Sequence, residues 1–330
     1  MIKIETKVNM IEIINKGIDI GASDIHIYPS LKKISEIKYR VRGKIEKDRK
    51  ITNDEIEAVI SLLKFNAKID ISLNKTPKSG RFDYEYNERM YNLRVSTLPL
   101  NEVYEGCVVR IFTNEIEKVD YSIFNEDIKL INGLSKYKTG LIIFSGPTGC
   151  GKSTSMYKLA LDIAKDNRQI ISIEDPIEKQ LEEIIQMQVN EKAGINYDNA
   201  LKSILRCDPD GILVGEIRDK VTAKYVITST YSGHIVLTTL HAEDCEGVIN
   251  RLRDLEISNE DLKQTLLCII SQRIVNTKNG RKVITELMQK DDIEKYIKKE
   301  EKSYILLKDK FERAYRDEKI SIKEKEKWGY

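Results

Sequence analysis

No stretch of this 330-residue chain approaches the ~20 consecutive apolar residues that a bilayer-spanning helix needs. Residues 1–10 mix charged and apolar side chains and hold no apolar core of a secretory leader, so a cytoplasmic protein is expected. Cysteine is sparse and scattered: the five residues come no closer in sequence than Cys245 and Cys268. That spacing excludes a Cys-x-x-Cys knuckle and argues against a disulfide framework, and it fits reduced thiols. An excess of one charge sign is also missing. Fifty-five basic and 53 acidic side chains leave +2, so counterion release gives no general drive towards nucleic acid. No internal repeat stands out. What remains is an ordinary cored composition, 41% hydrophobic and 33% charged, at a length that suits about two domains.

Residues 8–20 set Ile11, Ile14 and Ile18 on one helical face, and Gly21 marks the stop. Alternating stretches at 24–28 and 36–41 read as strands, with a turn at Arg42-Gly43. A helix follows from a cap at Thr52 or Asn53 and covers 56–65, and further strands are expected at 81–86, 90–96 and 107–112. Residues 1–125 therefore read as a small α+β domain with a mostly antiparallel sheet. After about residue 125 the pattern changes. Short apolar runs at 141–144, 170–173, 212–214 and 235–237 are separated by helix-length segments, as in an α/β domain with a parallel sheet covered on both faces. That domain is expected to span 126–290. Residues 291–330 are dense in Lys and Glu, with Tyr296, Ile305, Leu306, Phe311 and Tyr315 interspersed, and read as a charged tail of small surface helices.

The strongest chemical signal is Gly146-Pro147-Thr148-Gly149-Cys150-Gly151-Lys152-Ser153, followed by Thr154. Glycines let a backbone turn its N–H groups inward and approach phosphates closely. Lys152 adds a full positive charge at the β/γ oxygens, and the Ser153 hydroxyl is placed to ligate Mg²⁺. The apolar run 141–144 precedes the loop and a good helix follows it, the setting a P-loop requires. ATP and Mg²⁺ are the expected cofactors, and the whole segment Gly146–Thr154 is the expected binding loop.

Further motifs resemble the secretion ATPase superfamily, the motors of type II secretion, type IV pili and the competence pseudopilus. Gly21-Ala22-Ser23-Asp24-Ile25-His26 and Arg94-Val95-Ser96-Thr97-Leu98-Pro99 are similar to segments of that family's nucleotide-sensing N-terminal domain. Ile173-Glu174-Asp175-Pro176-Ile177-Glu178 resembles its aspartate box, Asp208-Pro209-Asp210 through Arg218-Asp219 its atypical Walker B segment, and Thr230–Ala242 its histidine box. The resemblance covers about Gly21 to Met288. It implies a PAS-like α+β domain followed by a RecA-like P-loop domain, working as a homohexamer. An inner-membrane platform protein would hold it at the inner face of the membrane, and pilin-like subunits would be moved indirectly, with no direct nucleic-acid contact. Lys64–Arg81 resembles the assembly branch more than the retraction branch. The chain begins almost at the nucleotide-sensing domain, so the extra N-terminal domain of longer relatives is expected to be absent. Gln272-Arg273-Ile274-Val275 runs within a few residues into Gly280-Arg281-Lys282, leaving no tetracysteine subdomain and no structural zinc expected. This compact layout is most similar to the competence pseudopilus motors.

Within that frame, Glu216 at the end of an apolar strand is the first candidate to polarise the attacking water, and Glu178 is the second acid; either can take the proton. Gly215 stands where many P-loop enzymes carry a metal-binding Asp, which leaves the Mg²⁺ contact to Ser153. The resemblance implies a γ-phosphate-sensing role for His241; the plainer role for His241, as for His234 and His26, is a hydrogen-bonded structural residue. It also implies that Arg94 and Arg110 close over the nucleotide as arginine fingers, whereas composition alone makes them, with Arg81, solvated strand residues. Cys150 takes the place of the family's usual Ser, and two readings stand: a thiolate activated by Lys152 and the helix N-terminus, or a small buried side chain. Three other functions remain as alternatives: a RecA-like nucleic-acid motor, a pilus retraction ATPase, and a nucleotide-gated scaffold with little turnover.

Overall fold

A computed structural model of the chain describes residues 2–30, 34–41, 43–71, 76–101, 103–113, 119–278 and 280–330. Arg42 of the expected turn and residues 72–75 of the assembly-branch segment lie outside the described residues. The chain forms two compact units, Met1–Glu115 and Ile116–Tyr330. The division falls before the change of pattern near residue 125 because Tyr121 and Phe124 are buried in cores of the second unit.

In the first unit, α1 (Ile2–Asp19) leads into β1 (Ala22–Ile27), β2 (Ile34–Val41) and β3 (Lys44–Thr52). Then come α2 (Asn53–Asn66), β4 (Lys78–Tyr86), β5 (Arg89–Pro99) and β6 (Glu105–Thr113). The strands run antiparallel in the order β3-β2-β1-β6-β5-β4. Thr52 caps α2 through a capping box with Glu55, which satisfies two amides that the first helical turn would otherwise leave unpaired. One sheet face packs Ile25, Ile27, Ile37, Leu93, Val95 and Val109 against Ile13, Ile14, Ile56, Val59 and Ile60 of the helices. The other carries a transverse row set by strand register: Arg40 opposite Asp24, Asp24 opposite Arg110, Arg110 opposite Arg94 and Arg94 opposite Arg81.

The second unit continues with α3 (Asn125–Gly133), β7 (Gly140–Ser145), α4 (Lys152–Ala164), β8 (Ile170–Glu174), β9 (Ile185–Gln188), α5 (Tyr197–Ile204), β10 (Gly211–Val214), α6 (Lys220–Tyr231) and β11 (Ile235–Leu240). It ends with α7 (Cys245–Asp254), α8 (Asn259–Thr265), β12 (Leu266–Thr277), β13 (Gly280–Gln289), α9 (Lys290–Lys298), α10 (Leu307–Arg316) and α11 (Ile322–Glu326). The sheet order is β13-β12-β7-β11-β10-β8-β9, and only β13 runs antiparallel to its neighbour. β7, β8, β10 and β11 are buried along their whole length, which is why they read as predominantly apolar runs. Leu141 and Ile143 face one core with Leu201, Val226 and Val248, while Ile142 and Phe144 face the other with Met156, Leu159 and Ile131.

The tail is more than a set of surface helices. Leu307, Phe311 and Ala314 build a fourth core with Val275, Ile284 and Phe124. Lys310 is buried there in an ion pair with Asp127, 2.6 Å away. Residues 291–330 thus belong to the packed second unit.

Candidate functional site

The site grows from the C-terminal ends of the parallel strands, where open α/β sheets place their ligands. β7 ends at Ser145, and the chain turns through Gly146 (φ 137°), Gly149 (φ 77°) and Gly151 (φ 87°) into α4. Gly146 has no substitute: a Cβ there would lie 2.5 Å from the Gln272 carbonyl oxygen and 2.7 Å from the Cys150 Sγ. Gly151 caps α4 without a side-chain acceptor, so amides of the first turn are left for an anion. Lys152 is buried, its Nζ donating to the carbonyls of Gly146 (2.9 Å) and Pro147 (3.1 Å). Burial pulls its pKa below the ordinary value, while the charges of Cys150, Glu216 and Glu178 oppose the shift. A lysine with its charge turned onto loop carbonyls, beside uncapped amides, suits a polyphosphate, and half-buried Ser153 next to it suits the metal that accompanies one.

Three strand ends meet beside this loop. Glu216, two residues past β10, accepts from Arg218 Nε at 2.7 Å and stands 3.3 Å from His241 Nε2 at the end of β11. Arg218 also donates to Asp175, just past β8, at 3.0 Å. The structure therefore brings Glu216, His241 and Lys152 into one electrostatic group. Exposed Glu178 stands close enough for its charge to act on Lys152. Gly215 leaves little space for a metal-binding carboxylate, because its Cβ position lies 3.3 Å from Glu174 Cα. His234 Nδ1 contacts the Ser229 carbonyl at 3.0 Å, a structural role. Arg94 and Arg110 stand side by side in the first unit, where Asp24 accepts from Arg110 Nε at 2.8 Å.

Cys150 has two readings open. It is only 3% exposed, and burial raises its thiol pKa although Lys152 favours the thiolate. The small buried side chain is the reading that fits, and Cys207 is the exposed cysteine. Sequence reasoning also missed several residues. Glu174 is buried and accepts from Ser172 Oγ (2.6 Å), Gln186 Nε2 (3.1 Å) and the Tyr157 hydroxyl, which ties β8 to α4, and burial raises its pKa. A carboxylate ending an apolar strand was the available signal. Gln272 and Arg273 on β12 touch the loop and its surroundings. A pocket of about 530 Å³ opens beside Gly146 and Pro147, lined also by His241, Asp244, Arg273 and Trp328. Among the described residues no group of three or more His, Cys, Asp or Glu could hold a metal ion.

A glycine-turned loop joining an inner strand of the sheet to a helix with no side-chain cap at its start, with an acid at the end of a nearby strand, defines a P-loop ATPase. The family model for "Type II/IV secretion system protein" matches residues 3–304, and the chain belongs to that family. It is similar to the competence protein ComGA of Bacillus subtilis (strain 168), at 40% identity over 259 residues, 77% of this chain and 72% of that protein. It is 36% identical over 259 residues to the type II secretion system protein E of Pectobacterium carotovorum, covering 78% of this chain and 52% of that one. The chain thus spans about half the length of the latter. Among solved structures, the ATPase DotB of Legionella pneumophila superposes with TM-score 0.75 at 20% identity, covering 97% of this chain and 94% of that one. The ADP-bound pilus retraction motor PilT does so with TM-score 0.73 at 24% identity, covering 96% of each chain. At these identities the two structures establish the shared fold.

Proposed function

We propose that this chain is an ATP-driven motor that powers assembly of a type IV pilus-like or competence pseudopilus. It acts as a homohexamer on an inner-membrane platform protein and moves pilin-like subunits indirectly, without contacting nucleic acid. Likeness to a competence protein over most of its length supports the choice of system. No helix among the described residues is long and apolar enough to cross a membrane, which suits a cytoplasmic motor held peripherally by its platform.

The observation that carries the catalytic reading is Glu216, held between Arg218 and His241 at the strand ends beside Lys152. Gly146, Pro147, Thr148, Gly149, Cys150 and Gly151 shape the cradle, and Lys152, Ser153 and Thr154 open the helix that completes it. Mg²⁺, held through Ser153, would neutralise phosphate charge when bound. Glu216 orients the attacking water and Glu178 is the second acid at that side. His241, within reach of Glu216, reads the state of the terminal phosphate. Arg94 and Arg110 offer guanidinium groups from the first unit to the charge that develops during transfer. Binding favours the closed arrangement and hydrolysis releases it, which turns chemistry into movement.

The test separates binding from turnover. Lys152→Ala should lose MgATP binding. Glu216→Gln should keep it and turn over at least ~100-fold more slowly, the usual scale for a positioned acid–base group. Hydrolysis by Glu216→Gln at the parent rate would refute the assignment.

A further inference from the structure

We propose that Gln272 is a positioning residue for the phosphate loop: from β12 it fixes the peptide plane that aims the Gly151 amide into the cradle. The inference rests on reading Gly146–Thr154 as the nucleotide loop. β12 pairs with β7 so that Ser271 lies opposite Ser145, and the next residue, Gln272, is therefore level with the start of the loop. It is fully buried. Its Nε2 donates to the Cys150 carbonyl at 2.7 Å. Its own carbonyl oxygen lies 2.5 Å from the Cβ position of Gly146, and its Nε2 lies 3.3 Å from that of Gly151. One residue thus braces both ends of the loop.

The consequence follows from amide geometry. In a trans peptide the C=O and the N–H point in opposite directions from one plane. Drawing the Cys150 carbonyl down onto Gln272 turns the Gly151 N–H away from β12, towards the side where an anion sits. A side chain present only to fill space would not need an amide here. The Gln272 Oε1 is buried with no hydrogen-bond partner among the described residues, and an unpaired buried acceptor is a cost that an aliphatic residue of similar size would avoid. The same strand ties the loop to its surroundings: Arg273 donates to the Glu243 carbonyl at 2.6 Å and stacks 5.4 Å from the Trp328 ring.

Two substitutions in the full chain test this, with MgADP and a non-hydrolysable MgATP analogue as ligands. Gln272→Leu should weaken binding of both about tenfold, the scale of one amide–phosphate hydrogen bond lost from the cradle. The unfolding midpoint should stay near the parent value, because removing the unpaired Oε1 offsets the donor lost by the Cys150 carbonyl. Gln272→Glu should bind in a pH-dependent way: the protonated carboxyl donates to the Cys150 carbonyl, and the carboxylate repels it. Affinity should therefore fall as pH rises from about 5.5 to 8, a range reached by buried carboxyls. Cys150 and Lys152 on the loop, Arg273 on β12, and His241 and Asp244 around the pocket also carry or exchange charge here, so the profile is read as the difference from the parent. Unchanged affinity with a lowered unfolding midpoint in Gln272→Leu would overturn the inference. Should Gln272→Leu not fold, a Gln272→Glu profile parallel to the parent's would overturn it equally. A parent chain that binds neither ligand would sink the nucleotide-loop reading itself, and this inference with it.

Discussion

Replacing Lys310 by methionine removes a charge while keeping most of the side-chain volume. Lys310 is 3% exposed, and its Nζ lies 2.6 Å from Asp127 Oδ1. Its loss would strand a carboxylate that is itself 3% exposed. Removing one partner of a buried pair costs about 3–5 kcal/mol, because the remaining charge has no water to turn to. Asp127 keeps two donors, Ser122 Oγ at 2.9 Å and Thr285 Oγ1 at 3.0 Å, which places Lys310→Met at the lower end, about 3 kcal/mol. For a unit of this size, with ~2–4 °C per kcal/mol, that corresponds to a fall of about 6–12 °C in Tm. Trp328 is the only tryptophan of the chain and packs against the core that holds Phe124, Leu307 and Phe311. Its fluorescence in urea or thermal unfolding therefore reports the second unit directly. Adding Asp127→Asn to Lys310→Met removes the stranded charge and should recover about half of the loss. A loss below ~1 kcal/mol for Lys310→Met, the range of an exposed pair, would refute the buried-pair argument.

Two further outcomes follow from side-chain placement. Arg94 is half-buried, and alanine there should leave the unfolding midpoint nearly unchanged while cutting ATP hydrolysis at least ~10-fold. Arg110→Ala should cut hydrolysis to a similar degree but also lower the midpoint, because buried Asp24 loses the guanidinium 2.8 Å away; unchanged kinetics in both variants would return them to solvated strand residues. A maleimide should label Cys207, the exposed cysteine, before Cys150, and Cys150→Ser should stay active. Peptide mass spectrometry showing Cys150 labelled first, with protection by MgATP, would mean that the loop opens far more than its packing indicates.

Where chemistry is contiguous or burial is uniform, the chain could be read directly. Gly146 to Thr154 lies in one stretch, and the apolar strands β7, β8, β10 and β11 carry their burial in their composition. The place of Glu216 at the C-terminal edge of the sheet was legible because the acid comes two residues after such a run. The first unit's antiparallel sheet was legible by alternation, except for β3. Its sequence, Lys-Ile-Glu-Lys-Asp-Arg-Lys-Ile-Thr, is mostly exposed along an edge strand, so no buried face marks it. β12 hid for the opposite reason: Ser271, Gln272 and Arg273 are polar yet buried, and polarity in a sequence argues for a loop until a partner is known. Those partners are far away. Gln272 meets Cys150 across 122 residues and Lys310 meets Asp127 across 183. Cys150 makes the same point through its two open readings. Lys152 and the helix N-terminus argue for a thiolate from neighbours in sequence, whereas the desolvation that decides the matter comes from packing beneath the loop, with Gln272 against Gly146. Local sequence states which charges are near a group; only tertiary packing states whether water is.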